Sequence, residues 1–149
     1  MKKVLIAYFS LAGNTKKMAQ YVAEGVRISG QEATLKKASD IKEPEEIEGY
    51  DGYIFASPTY HREMAGPMKT FLFLARNASL EGKLAGSFGS YTHDGNAPEM
   101  ILNTMQYVFK MEPFELGPFN LLEDKIDTSE GLHACQDYGR VFGEILNKG

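Results

Sequence analysis

The chain has 149 residues, 43% of them hydrophobic and 24% charged, with a formal net charge of −4. That size suits one globular domain over residues 1–149 with a full core, and the mild negative charge argues against a nucleic-acid-binding surface. A single cysteine, Cys135, leaves no internal disulfide and fits a reducing, cytoplasmic compartment.

Met1-Lys2-Lys3 ahead of an apolar run imitates a secretion signal, but Val4 to Phe9 is shorter than the ~7–15 residues such a core needs. It reads instead as a central strand covered on both faces. No run reaches the ~20 apolar residues of a membrane span, so no membrane insertion is expected. The loop Ser10-Leu11-Ala12-Gly13-Asn14-Thr15 follows directly, and a helical pattern then runs to Ile28. Backbone N–H groups at a helix N-terminus, with hydroxyls from Ser10 and Thr15 and the Asn14 amide, would form a phosphate cradle of neutral donors. An ordinary strand-to-helix turn, with Gly for the bend and Asn or Thr as cap, uses the same residues. Lys16 and Lys17 lie on the helix and are expected in solvent.

In that helix Met18, Tyr21, Val22, Gly25 and Val26 recur at helical spacing, and Gly30 ends it. Glu32 to Ala38 alternates with charged residues, the mark of an edge strand. Asp40 to Glu48 reads as a connection carrying a short helix, and Tyr53 to Ser57 as a second buried-type strand. A loop from Pro58-Thr59-Tyr60 to Gly66 precedes a helix that Pro67 opens and that buries Met68, Phe71, Leu72 and Ala75.

Lys83 to Ser90 is a third buried-type strand, followed by a loop from Tyr91 to Ala97. Pro98 opens a helix with Ile101, Met105, Val108 and Phe109 inward. Phe114-Glu115-Leu116 reads as a weak last strand interrupted by Gly117-Pro118. Asp127 and Glu130 suit the start of a final helix whose stripe is Leu132, Cys135, Gly139, Phe142 and Leu146.

Strand and helix thus alternate about five times, which predicts an α/β fold: an open parallel sheet with helices on both faces. Ligands of such sheets sit beyond the carboxyl ends of the strands. Three loops lie there: Ser10–Thr15, Pro58–Gly66 and Ser90–Ala97. No Gly is followed by Lys-Ser or Lys-Thr, as a nucleotide-triphosphate loop needs, and Gly13 stands alone where a dinucleotide loop has three glycines. A singly phosphorylated cofactor with a flat ring, flavin mononucleotide (FMN), suits a small cradle flanked by aromatic loops.

Ser10-Leu11-Ala12-Gly13-Asn14-Thr15 resembles the phosphate loop of the flavodoxins. Ser57-Pro58-Thr59-Tyr60 with Met64-Ala65-Gly66-Pro67-Met68-Lys69-Thr70-Phe71-Leu72 is similar to the second flavin loop of the Trp-repressor-binding-protein family of NAD(P)H:quinone oxidoreductases, which share the flavodoxin fold. Phe88-Gly89-Ser90-Tyr91 with Gly95 resembles the third loop of both. The resemblance implies a flavodoxin-like three-layer α/β/α fold with a five-stranded parallel sheet in the order 2-1-3-4-5. It also implies FMN-phosphate contacts from Ser10, Leu11, Ala12, Gly13, Asn14 and Thr15. Pro58, Thr59, Tyr60, His61 and Arg62 would line the flavin ring, and Ser90, Tyr91, Thr92 and Gly95 its pyrimidine edge. Arg62-Glu63 stands where both families carry a glycine, so φ > 0 is expected to be costly there.

The resemblance implies an FMN-binding electron carrier acting between redox partner proteins. Two alternatives are an FMN-dependent NAD(P)H:quinone reductase and a flavin-binding activator of another enzyme. For a reductase, His61 or His93 could deliver a proton, and Arg62 could stabilise reduced flavin; each could equally be a surface residue, Arg62 pairing with Glu63. No histidine has partners at metal-binding spacing, and Cys135 reads as a buried small hydrophobe.

Overall fold

The three apolar runs become the middle of a parallel sheet, and the more polar ones its edges. In the computed structural model, which describes residues 1–149, the strands are β1 (Lys3–Tyr8), β2 (Glu32–Lys37), β3 (Gly52–Ala56), β4 (Thr59–Tyr60), β5 (Glu63–Met64), β6 (Leu84–Tyr91) and β7 (Glu112–Leu122). Five of them form one sheet in the order β2-β1-β3-β6-β7, every neighbouring pair parallel. Without the short hairpin β4–β5, this is the expected order 2-1-3-4-5. Four helices cover it: α1 (Asn14–Ile28), α2 (Gly66–Ala75), α3 (Ala97–Asn103) and α4 (Ser129–Lys148). None is long and apolar enough to cross a membrane.

The period-2 geometry of β1 explains the layering. Leu5 and Ala7 join a core with Met68, Phe71 and Leu72 of α2 and Ile101 of α3. Val4, Ile6 and Tyr8 face the opposite side, packing with Met18 and Val22 of α1 and with Cys135 and Phe142 of α4. Each such fully buried large side chain contributes about 1.5–3 kcal/mol of burial free energy. Cys135 is fully buried, as its place on the apolar stripe predicts, and desolvation pushes its thiol up to about 12.

Several details depart from the sequence reading. β7 is one eleven-residue strand, and Gly117-Pro118 does not interrupt it. The ladder to β6 shifts between Ala85 and Ser87 instead, opposite Pro113 and Pro118, and Gly117 takes a φ of 72°. Proline cannot donate to a ladder, so the chain absorbs it at a bulge. The Tyr138 hydroxyl of α4 fills the gap, accepting from Ser87 N–H at 3.0 Å and reaching the carbonyls of Ser87 (3.0 Å) and Gly117 (3.2 Å) as donor.

After α3 the chain enters a π turn, Thr104–Val108, whose extra residue rotates Val108 into solvent rather than the core. Thr128, not Asp127, caps α4, its hydroxyl accepting from Gly131 N–H at 3.0 Å. Asp127 pairs instead with Lys17, which is therefore only half exposed. The connection after β2 holds two 3₁₀ turns, Ala38–Asp40 and Pro44–Ile47.

Candidate functional site

β1 and β3 are neighbours, but their connections leave to opposite sides, α1 to one face and α2 to the other. This switch point opens a crevice at the carboxyl ends of the strands. The three predicted loops all lie there.

The first loop is Ser10–Gly13. Gly13 precedes α1 with a φ of 95°, a value natural to glycine, and no side chain caps the helix. The N–H groups of Asn14, Thr15 and Lys16 find no acceptor within the chain. Ser10 Oγ accepts from Gly13 N–H at 3.1 Å, which rounds the loop and leaves the Ser10 proton free to donate. Leu11, 76% exposed, and Ala12 form the tip. Thr15 departs from expectation: its hydroxyl is buried and bonded to Ser90 Oγ at 2.8 Å. Its side chain therefore ties the first loop to β6 and does not stand among the outward donors; its backbone N–H does.

The second loop is a hairpin where sequence suggested only a loop. Thr59 pairs with Met64 and Tyr60 with Glu63, leaving His61 and Arg62 as the two-residue turn. Their φ values are 49° and 66°, the left-handed values that a tight I′-type hairpin requires at both central positions. The expected glycine is absent, yet the chain takes positive φ here at a cost on the order of 1 kcal/mol per residue. Ser57 Oγ clamps the hairpin base, accepting from Ala65 N–H at 2.9 Å and donating to the Pro58 carbonyl at 2.8 Å. Arg62 pairs with Asp94 of the third loop at 3.3 Å, not with Glu63, which Lys69 takes at 2.8 Å.

The third loop is fastened from both sides. Ala97 N–H donates to Thr59 Oγ1 at 3.0 Å, and Ser87 Oγ to the Pro98 carbonyl at 2.6 Å. Asn120 of β7 donates from Nδ2 to the Gly95 carbonyl at 2.7 Å. A Cβ on Gly95 would stand 2.7 Å from the Asn120 side chain, which would have to swing away from its place against the loop. Asn120 Oδ1 is buried and has no partner, a cost of about 1–3 kcal/mol unless a donor reaches it. Sequence reading missed Asn120; an asparagine amid the apolar residues of a strand was the available signal.

A cavity of about 580 Å³ opens between the hairpin and the third loop, lined by Thr59, Tyr60, His61, Arg62, Thr92, His93 and Asp94. Pro58 and Ser90 are buried beneath it and Tyr91 is half-buried. Burial, then the nearby Glu123 carboxylate, raise the Tyr60 phenol above its ordinary value, so the ring stays neutral at physiological pH. The first loop lines a separate hollow of about 290 Å³ with Lys16, Lys37 and Ser39. His133 is exposed on α4 and lines neither the cavity between the hairpin and the third loop nor the hollow at the first loop. A further hollow of about 650 Å³ lies at the opposite, amino-terminal edge among Lys3, Arg27, Glu46 and Glu48, where no loop of this set reaches.

The sheet order and the placing of these loops match known proteins. A family model described as a flavodoxin domain matches residues 5–120. A flavodoxin from the domain Archaea superposes with a TM-score of 0.88 at 26% identity, covering 97% of this chain and 99% of that one. Oxidised flavodoxin 2 from Bacillus cereus gives a TM-score of 0.83 at 25% identity, over 96% of this chain and 99% of that one. The flavodiiron core Flv1 from Synechocystis sp. PCC6803 aligns at 28% identity and a TM-score of 0.85, over 99% of this chain but 36% of its own. With its parallel sheet, its switch-point loops and a family match over most of its length, the chain belongs to the flavodoxin domain family.

Proposed function

We propose that the chain binds FMN non-covalently and carries electrons between redox partner proteins. The observation that carries this reading is the uncapped start of α1. Three N–H groups without acceptors, beside a free Ser10 proton and the Asn14 amide, match the donors a phosphate monoester requires. Leu11, Ala12 and Gly13 would offer backbone only. Pro58, Thr59, Tyr60 and His61 would form the walls of the ring site, with Arg62 at its mouth. Tyr91, Thr92 and Gly95 would stand at its polar edge, while Thr15 and Ser90 hold the two loops in register. Bound FMN would supply one- and two-electron redox chemistry, and the protein position and electrostatics.

Flavin fluorescence tests this directly. Titrating FMN should quench its emission at 1:1 stoichiometry, and riboflavin, lacking the phosphate, should bind far more weakly. Asn14→Ala should weaken FMN by about 1.5–3 kcal/mol, the worth of a hydrogen bond to a charged group, and leave riboflavin unchanged. Equal affinity for both flavins would overturn the cradle assignment. Stopped-flow mixing of the FMN-loaded protein with NADPH or NADH addresses the partner: a carrier stays oxidised until a reductase is added. Prompt bleaching with quinone turnover would replace the carrier reading by the reductase one, for which His61, Arg62 and His93 stand at the cavity mouth.

A further inference from the structure

An apolar groove of about 380 Å³ runs between α2 and the π turn, on the face opposite α1 and α4. Leu72 and Phe109 line its interior, and Met64 closes one end. Two large apolar side chains frame it and stand in water: Phe73 of α2, 73% exposed, and Val108 of the π turn, 53% exposed. Regular helical spacing would bury Val108; the extra residue of the turn holds it out instead. Single exposed apolar residues are ordinary on a protein surface, but a contiguous set around an open groove marks a docking face.

The charged side chains that line it, Lys69 and Arg76, are both cationic. Lys69 is taken by Glu63, but Arg76 lines the groove and forms no ion pair. The depression that continues past Val108 and Phe109 adds Lys83 and Lys110, also without ion-pair partners, against the single carboxylate of Glu81. On a chain of net charge −4, this is a local reversal.

We propose that this face docks a partner protein through an acidic amphipathic helix. Its apolar anchors enter between Phe73 and Val108, and its carboxylates face Arg76, Lys83 and Lys110. A second copy of this chain fits poorly: its acidic stretch Glu43–Glu48 buries Ile47 completely and has no exposed large apolar anchor to offer. The groove begins at Met64, which pairs with Thr59 across the hairpin, so the partner sits one strand from the candidate site. The proposal uses no cofactor-binding residue and stands whether or not flavin binds.

Nuclear magnetic resonance with the full ¹⁵N-labelled chain tests it. The titrant is a synthetic fifteen-residue helix with Leu and Phe at i, i+4 and i+7 and Glu elsewhere; a control peptide carries Lys in place of Glu. Shifts confined to residues 64–83 and 104–110 are expected, weakening with added salt. Phe73→Glu should weaken binding about 30-fold, as loss of a central anchor does, and Arg76→Glu should weaken it while leaving the FMN titration unchanged. Phe73 is solvent-facing, so the variant's unaltered circular dichroism verifies its fold. Equal binding of the basic peptide, shifts elsewhere, or no shifts at about 1 mM peptide would overturn the proposal. Shifts in this region that depend on the protein's own concentration would also overturn it, in favour of self-association.

Discussion

Tyr138 shows how much one hydroxyl can carry. Buried and linked to Ser87 and Gly117, it substitutes for the ladder bonds that the β6–β7 bulge cannot make. Tyr138→Phe keeps the ring packing but leaves Ser87 N–H and the Gly117 carbonyl unpaired. The expected loss is about 2–3 kcal/mol, read as a lower urea midpoint at unchanged m-value; an unchanged midpoint would show that water had taken the place of the phenol. The hairpin turn predicts the opposite sign. His61 and Arg62 hold φ values suited to Asn-Gly, so His61→Asn with Arg62→Gly should raise the stability of flavin-free protein by about 1 kcal/mol. The exposed Arg62–Asp94 pair lost in that variant contributes little. A lowered thermal midpoint would mean the turn is not strained.

Among the elements, α1 and α4 pack backbone against backbone. A Cβ on Gly25 would stand 2.0 Å from the Gln136 carbonyl oxygen, and one on Gly139 the same distance from that of Val22. Backbone cannot yield as a flexible side chain does, so Gly139→Ala must separate the helices. About 3 kcal/mol or more of destabilisation is expected by chemical denaturation, against the slight gain that Ala brings to an open helical position; a neutral result would show that the helices slide freely. Sequence made the helices and central strands legible, because apolar spacing on α1, α2 and α4 and the unbroken runs of β1, β3 and β6 answer directly to burial. It failed where local grammar was overruled from afar. Gly117-Pro118 reads as a break, yet Tyr138 repairs the ladder around it. His61-Arg62 is no turn signal, yet clamps at Ser57 and Thr59 impose one. Val108 has helical spacing, but one π turn changes its face.

At the scale of the whole molecule, the three loops were legible as neighbours because parallel topology brings strand ends to one edge. The ties between them were not. Thr15 to Ser90, Thr59 to Ala97 and Asn120 to Gly95 join residues far apart in the chain, and no local pattern encodes such pairs. Global stability should also respond to alkali. Burial pushes Cys135 from an ordinary 9.0 and Tyr53 from 10.0 up to about 12, and raises Tyr138 as well. The unfolded chain then releases these protons at lower pH than the folded one. Stability is complete below those ordinary values and is lost as pH rises from about 9 toward 12. Denaturation at stepped pH should show a plateau to about 9 and a decline above it; a flat profile to pH 11 would contradict the assigned burial.

The phenol that completes the outer ladder belongs to α4, beyond the 5–120 stretch on which the family match rests. While a ribosome is still making the chain, β6 and β7 can meet, but their seam stays open until α4 emerges. A chain released before it would expose the seam, together with the apolar face of α1, to proteases and chaperones. Closure of this seam thus waits for α4.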